Sequence, residues 1–169
     1  MAKQLPSTHG QTQPSASMID PIKIVQRWVE GEPKAQPRAR AVSKGGKARM
    51  YDPGTAKFWK RLVAHELRSY RPDTPISSPV LMTMEFYLPR PQRLMRAKDP
   101  SHPLPATGKP DIDNLEKAIM DALTDDGWWT DDSVVVACSA SKMFHAKGAS
   151  PGMQISIWTI DEESVITFS

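Results

Sequence analysis

Hydrophobic and polar residues alternate along several segments of the chain, and this alternation predicts its β-strands. The most regular segment is 80–88, in which every second residue is apolar, as in a strand with one buried face. Its apolar positions are Val80, Met82, Met84, Phe86 and Leu88. Segments 22–29 and 153–160 alternate less strictly, and 133–144 is rich in Val and Ala. Each of these segments therefore predicts a strand.

Apolar residues recur at helical spacing in two further segments. One helix is predicted to begin near Ala56, after a turn at 52–55. The other is predicted over 114–124, where the apolar stripe consists of Leu115, Ala118, Ile119, Ala122 and Leu123. The order β, α, β, α, β, β predicts a single α/β (α+β) domain with a mixed β-sheet packed with two main helices. One sequence leaves the strand order of that sheet open.

Composition adds the limits of this domain. A chain of 169 residues suits one domain with a substantial core. Residues 1–18 are rich in Gln, Ser, Pro and Thr, so they are predicted to form a disordered tail before a domain at 19–169. Cys138 is the only cysteine, which excludes an internal disulfide and favours a reducing cytoplasm. No run is long and apolar enough to span a bilayer.

Acidic residues are concentrated around the second predicted helix. Asp111 and Asp113 stand at its start, and Asp132 follows its end, just before a predicted strand. Carboxylates are ionised at neutral pH and are the hard oxygen ligands that Mg2+ prefers. If these carboxylates converge, they can form a magnesium site in which Mn2+ can substitute. Lys117, one turn inside the helix, would add a positive charge to steady a phosphoryl transition state.

Most of these residues also have a purely structural explanation. Asp113 could cap the helix in a capping box with Glu116, whereas Asp111 precedes that cap and is not explained in this way. Lys117 could form a surface ion pair with Asp113, four residues earlier on the same side of the helix.

The doubled pair Asp131–Asp132 raises a question of register, since Asp is common in turns. The spacing and the strand that follows favour Asp132 as the ligand, because Asp131 would point to the opposite face if the strand had begun. We interpret Asp125–Asp126 as solvated turn residues. Trp128 and Trp129 could be core residues or could unstack bases at a branch point, and one of them is expected to be buried beneath the helix.

Two basic segments are candidates for contact with a polyanion. The first surrounds a predicted tight turn at Gly45–Gly46, and the second is the long, Pro-flanked loop that follows segment 80–88. The candidate DNA-binding residues are Arg38, Arg40, Lys44, Lys47, Arg49, Arg93, Arg96 and Lys109. A basic arm would follow phosphates and make binding salt-dependent, although an ordinary solvated loop explains the composition of the first segment equally well.

The run KPDIDNLEKAIMDALTDDGWWTDDS, residues 109–133, resembles the core motif of RusA-type Holliday junction resolvases. In that family an Asp-x-Asp-Asn-Leu-x-Lys run leads into a helix with Asp-Ala-Leu, followed by a Gly, an aromatic residue and an Asp-Asp pair. The resemblance implies that Asp111, Asp113 and Asp132 are catalytic, metal-binding aspartates and that Lys117 is the catalytic lysine. Outside this run the resemblance is looser.

The resemblance implies a Mg2+-dependent endodeoxyribonuclease of DNA recombination and repair, in the cytoplasm of a bacterial or phage-infected cell. Acting as a homodimer, it would resolve four-way junctions by paired symmetric nicks. Two alternatives stay open: a non-catalytic DNA-binding protein of recombination or replication, and a nuclease for another branched DNA or for RNA. The motif concerns the chemistry, whereas the basic segments select the substrate.

Overall fold

A computed structural model describes residues 21–37, 40–44, 47–51, 54 and 56–160 of the chain, with only the backbone pairing of 40–44 and 47–51. The predicted tail at 1–18 and the predicted turn at Gly45–Gly46 lie outside the described residues. Of the helices in the described part, none is long and apolar enough to cross a membrane.

The predicted strands and helices are all present, together with elements that the sequence pattern did not predict. The strands are β1 (Ile22–Glu30), β2 (Arg40–Lys44), β3 (Lys47–Tyr51), β4 (Val80–Leu88), β5 (Leu104–Pro105), β6 (Val135–Phe144) and β7 (Gly152–Thr159). The helices are α1 (Lys57–Leu67) and α2 (Ile112–Asp125). Short 3-10 turns span Arg68–Tyr70, Gln92–Leu94 and Asp132–Val134. The additions are the β2–β3 hairpin, the two-residue strand β5 and these turns.

The main sheet has five strands in the order β1-β7-β4-β6-β5 and is mixed. Strands β4 and β6 run parallel, whereas the β1–β7, β4–β7 and β5–β6 pairs are antiparallel. The hairpin β2–β3 forms a separate two-stranded sheet. The predicted fold class, a mixed sheet with two main helices in one α+β domain, is confirmed.

The core lies between the helices and one face of the sheet. The alternating apolar positions of β4 are all buried, whereas the residues between them are exposed or half-buried, as the sequence predicted. Helix α1 buries Trp59, Val63 and Leu67. Helix α2 buries all five residues of its predicted stripe, and Leu115, Ile119 and Leu123 join residues of β4 and β7 in one apolar cluster. Burial of this face, rather than helix propensity, therefore holds α2 on the sheet.

Helix α2 ends at a glycine that allows the chain to reverse. Gly127 has a φ of 81°, a left-handed conformation that costs little without a Cβ. The Trp128 N–H donates to the Leu123 carbonyl at 3.0 Å, which satisfies a terminal carbonyl of the helix. Trp128 and Trp129 are both buried, so the expectation that one of them lies in the core was too narrow. Neither presents a ring for stacking on bases.

The interpretation of Asp125–Asp126 as a solvated pair is wrong for Asp126. Its side chain is only 10% exposed and lies 3.4 Å from Arg68 and 3.7 Å from Arg71. Asp125 is exposed and forms a 3.5 Å ion pair with Lys60 of α1. These contacts tie the end of α2 to α1 and to the turn that follows it, which a sequence pattern does not show.

We expect Thr124→Val to destabilise the protein by about 1–3 kcal/mol, because it leaves a buried indole N–H without a partner. Trp129 Nε1 donates to Thr124 Oγ1 at 2.7 Å, and valine keeps the shape of threonine while removing that oxygen. Urea unfolding of the variant and the parent would measure the difference. Thr124→Ser, which keeps the hydroxyl, is the control, and equal stability of parent and Thr124→Val would show that this bond is not needed.

Candidate active site

The start of α2 places Asp111 differently from the sequence interpretation. Asp111 is itself the N-cap residue, with extended backbone angles (φ −71°, ψ 143°), and its side chain forms no capping hydrogen bond. Asp113 lies in the first helical turn, where an acidic residue is favoured by the helix dipole. The proposed capping box of Asp113 with Glu116 is therefore not formed, and the Asp111 carboxylate is not used as a cap.

Glu116 instead approaches Cys138 of β6. The Cys138 thiol lies 3.9 Å from a Glu116 carboxylate oxygen, so this side of α2 packs against β6. Burial, together with the charge of Glu116 and the hydrogen bond to it, raises the pKa of the Cys138 thiol to about 11. Burial likewise raises the pKa of Glu116, with a smaller contribution from the charge of Asp113.

Lys117 does not pair with Asp113. Its ammonium lies 3.5 Å from Asp121, one turn further along α2, and Asp121 also lies 3.7 Å from Lys60 of α1. The Lys117 side chain is 62% exposed, so this contact contributes only a few tenths of a kcal/mol. Lys117 is therefore a lightly held cation on the surface of the first turns of α2.

The Asp131–Asp132 pair opens a 3-10 turn rather than a strand, because β6 begins only at Val135. The Asp131 side chain accepts a hydrogen bond from the Ser133 N–H at 2.8 Å, and this bond lowers the pKa of Asp131. Asp132 is exposed and is the first residue of the turn, which contacts α2. The premise that Asp131 points to the other face of a strand does not apply, since its carboxylate is occupied in capping the turn.

The two halves of the motif lie at opposite ends of α2. Glu116 is opposite Cys138, and Pro110 is opposite Lys142, so α2 runs antiparallel to β6. Asp111 is therefore near the end of β6, whereas Asp132 precedes its start. The 14 residues of α2 span about 20 Å at 1.5 Å per residue. Within the described part of one chain, the structure does not bring Asp132 to Asp111 and Asp113, and no three acidic, His or Cys side chains are grouped to hold a metal ion.

The candidate ligands are nevertheless distinguished from the other acidic residues of the motif by their lack of partners. Within the described residues, the carboxylates of Asp111 and Asp132 form no hydrogen bond or ion pair, and that of Asp113 receives only the Asn114 amide at 3.3 Å. The other aspartates of the motif are occupied by a lysine, an arginine or a backbone N–H: Asp121, Asp125, Asp126 and Asp131. The carboxylates that remain available are thus those named by the resemblance.

The first basic segment begins beside the acidic turn. The backbone N–H of Gln36 donates to the Asn114 carbonyl at 2.8 Å, which fixes the extended segment 32–37 against the start of α2. The β2–β3 hairpin follows, and its register pairs Arg40 with Tyr51, Val42 with Arg49 and Lys44 with Lys47. The basic residues Arg40, Lys44, Lys47 and Arg49 thus all occupy paired positions of this ladder. Arg38 lies outside the described residues.

The second basic segment is an ordered loop, held from inside by two cations that the sequence did not distinguish from its neighbours. Arg90 is 7% exposed and donates to the carbonyls of Leu94, Pro100 and His102 at 2.6–3.0 Å. Lys147 donates to the carbonyls of Arg96 and Asp99 at 2.7 and 2.6 Å.

The candidate DNA-binding residues of this segment are all exposed, although one is already partly neutralised. Arg93 and Lys109 have exposed side chains. Arg96 is also exposed but forms an ion pair with Asp99 at 3.2 Å. The local sequence does not distinguish Arg93 and Arg96 from Arg90, because arginines that bind carbonyls and arginines that face solvent have similar neighbours in this Pro-rich loop. It also does not show that Lys147, which follows β6, binds carbonyls of the loop.

Comparison with known proteins agrees with the motif. The chain matches the family model described as "Endodeoxyribonuclease RusA" over residues 30–158, and it therefore belongs to the RusA endodeoxyribonuclease family, a family of nucleases. The matched residues include the hairpin, both helices and β4 to β6, and hence every candidate residue of the site.

Two bacterial proteins are similar to the chain. Uncharacterized protein YqaN of Bacillus subtilis (strain 168) is 38% identical over 131 residues, which cover 75% of this chain and 89% of YqaN. Crossover junction endodeoxyribonuclease RusA of Escherichia coli O139:H28 (strain E24377A / ETEC) is 38% identical over 60 residues, which cover 36% of this chain and 48% of that protein.

We expect Cys138 to react slowly with iodoacetamide despite its exposed edge, because only the thiolate is nucleophilic and its pKa is raised to about 11. At pH 8 the alkylation rate should be at least about tenfold below that of a free cysteine with a pKa of about 8.5. Glu116→Gln should increase the rate only in part, since burial is the larger cause of the shift. A Cys138 that reacts like free cysteine would contradict the contact between α2 and β6 described above.

Proposed function

We propose that this member of the RusA family is a Mg2+-dependent, structure-selective endodeoxyribonuclease that resolves four-way DNA junctions as a homodimer by paired symmetric nicks. The observation that carries the proposal is the selective availability of Asp111, Asp113 and Asp132. In a motif where the remaining aspartates are occupied, these residues keep exposed carboxylates without a cationic partner in the described part of the chain. Exposed carboxylates that no lysine, arginine or backbone N–H of the described residues occupies are available for a ligand.

The donor set fits a hard divalent cation. Asp111, Asp113 and Asp132 offer only carboxylate oxygens, which suit Mg2+ and equally Mn2+. When bound, such an ion supplies activation of a water molecule and stabilisation of negative charge on the scissile phosphate. The chain's own part is to present these oxygens at helix and turn ends whose backbones are fixed by the fold.

Lys117 is proposed to neutralise charge that develops on the phosphate in the transition state. Its exposure and its weak contact with Asp121 support this role, since leaving Asp121 costs little. Asp121 would still retain Lys60 as a partner when Lys117 turns to the phosphate.

The basic hairpin and the ordered loop are proposed to bring the polyanion to the acidic site. Support comes from the hydrogen bond of the Gln36 N–H to the Asn114 carbonyl, which places residue 36, four positions before the hairpin, beside the first turn of α2. Lys109 is exposed two residues before Asp111 and Arg93 is exposed on the loop. Phosphate contacts of this kind supply affinity and position rather than sequence specificity.

The separation of Asp132 from Asp111 supports the homodimer. The described part of one chain does not group the two halves of the motif, so we propose that two copies related by a two-fold axis pair the Asp111–Asp113 half of one chain with Asp132 of the other. A two-fold dimer then has two equivalent sites, which suits two symmetric nicks on a junction with two-fold symmetry.

We expect Asp132→Asn to lower Mg2+-dependent cleavage of a labelled four-way junction by at least about 100-fold, because loss of a ligand should exceed the 10–100-fold effect of its supporting partners. Asp131→Asn is the matched control: its amide oxygen can still accept from the Ser133 N–H, so cleavage should stay close to that of the parent. Asp111→Asn should abolish cleavage while junction binding persists.

The assay would compare junction, linear duplex, flap and single-stranded RNA substrates, with Mg2+ and with EDTA. Tight binding of the junction without cleavage under Mg2+ or Mn2+ would contradict the nuclease and favour a binding protein. Preferential cleavage of flaps or RNA would instead assign another substrate to the same chemistry.

Mixing two inactive variants tests the shared site. If Asp132 acts across the dimer, an Asp111→Asn chain paired with an Asp132→Asn chain contains one intact site and one doubly altered site. We expect the mixture to nick a cruciform plasmid in one strand, whereas the parent linearises it. Sedimentation would establish that both variants and the parent are dimers. A mixture that stays inactive although mixed dimers form would contradict the shared site.

A further inference from the structure

Lys142 of β6 binds the segment that delivers Asp111 to the site. Its ammonium donates to the Pro110 carbonyl at 2.7 Å and also to the Gly108 carbonyl. Register places Lys142 beside the buried Phe86 of β4, so the side chain leaves β6 on the face that α2 covers. The side chain is half-buried, and within the described residues its partners are these two carbonyls rather than a carboxylate.

The backbone of Lys142 holds the same segment a second time. Its carbonyl accepts from the Ala106 N–H at 3.3 Å, immediately after the two residues of β5 pair with Met143 and Phe144. The chain thus lies along β6 from residue 104 to residue 110, fixed first by strand pairing and then by the ammonium. Gly108 supports this course with a φ of 97°, which a residue with a Cβ adopts only at a cost.

Asp111 depends on this segment for its position. It follows Pro110 directly, and its own side chain makes no capping bond that would fix it from the helix side. The carbonyls on either side of Lys109 are therefore the nearest anchored groups before the Asp111 carboxylate. An ammonium that binds both restricts the conformation of residues 108–110 and keeps the half-buried Pro110 carbonyl paired.

We propose that Lys142 is a positioning residue, whose ammonium fixes the carbonyls of Gly108 and Pro110 and thereby sets where the Asp111 carboxylate meets its ligand. The inference rests on the proposed role of Asp111. Lys142 contacts neither the substrate nor the ion, and it acts through the backbone of residues 108–110. Partners that orient a ligand residue in this way typically change metal affinity or activity by about 10–100-fold.

The test compares Lys142→Met, which keeps the length of the side chain but has no donor, with Lys142→Arg, which can again donate to both carbonyls. Mn2+ affinity of the protein alone, measured by calorimetry, should fall at least about tenfold in Lys142→Met and recover largely in Lys142→Arg. At saturating junction, kcat should fall in parallel, while the Kd for the junction in EDTA changes little. Amide exchange at residues 106–112 should accelerate in Lys142→Met.

Lys147→Met is the matched control, because Lys147 also binds two backbone carbonyls but at residues 96 and 99. Its effect should appear in the Kd for the junction and not in Mn2+ affinity. If Lys142→Met does not fold, Lys142→Gln, which can still donate to one carbonyl, decides the question by an intermediate Mn2+ affinity. Parental Mn2+ affinity and kcat in a folded Lys142→Met or Lys142→Gln variant would overturn the positioning role alone. A parent that neither binds Mn2+ nor cleaves would overturn the proposed function as well.

Discussion

The parallel pairing of β4 with β6 is the constraint on which the rest of the molecule depends. Parallel neighbours cannot be joined by a tight turn, so the chain must return from the end of β4 to the start of β6 across the face of the sheet. Helix α2 makes that return, and its apolar stripe fixes it against the core. Its two ends consequently lie at opposite ends of the strands. Asp111 and Asp113 are at the end where β6 finishes, together with the long loop before α2, and Asp132 precedes the start of β6.

Cations hold the irregular part of this return. A loop cannot satisfy its carbonyls by strand or helix pairing, and here Arg90, Lys142 and Lys147 donate to them instead. These residues contribute to the positive net charge of the chain, but their side chains bind backbone carbonyls. The net charge therefore overstates the number of cations that are available to a polyanion. The acidic residues divide in the same way. Asp121, Asp125 and Asp126 pair with Lys60 of α1 or with Arg68 of the turn that follows it, whereas Asp111 and Asp132 remain available.

Periodicity predicted the elements whose burial follows a simple repeat. The predictions of strand β4 and of the apolar stripe of α2 were correct because each element buries one face and exposes the other. The sequence failed where a contact comes from elsewhere in the fold. Asp126 was assigned to solvent because the sequence does not show that Arg68 and Arg71, which follow α1, contact it. The cap was assigned to Asp113 because the helix starts earlier than its apolar stripe. The hairpin β2–β3 was missed because its strands, RAVSK and KARMY, contain four basic residues and show no regular alternation of polar and apolar positions.

The site is where sequence and structure inform each other most. Order and spacing along 109–133 were sufficient to recognise the family, yet they suggested that the carboxylates converge within one chain. The antiparallel direction of α2 relative to β6 argues against that convergence. This direction follows from the order of strands in the sheet, which no local sequence pattern shows. Likewise Lys142 lies outside the motif and is read from its alternation as an ordinary strand residue, although it touches the residue before Asp111.

Helix α2 also contributes a fixed length to the chain between the two halves of the motif. Each residue inserted into it would lengthen the spacing by about 1.5 Å and rotate one end relative to the other by about 100°. The loop between β4 and α2 fixes no such length, because added residues can extend into solvent while Lys142 still binds the carbonyls of Gly108 and Pro110. Residues added to that loop therefore leave the placement of Asp111 unchanged, whereas a residue added to α2 changes both the distance and the direction from Asp113 to Asp132.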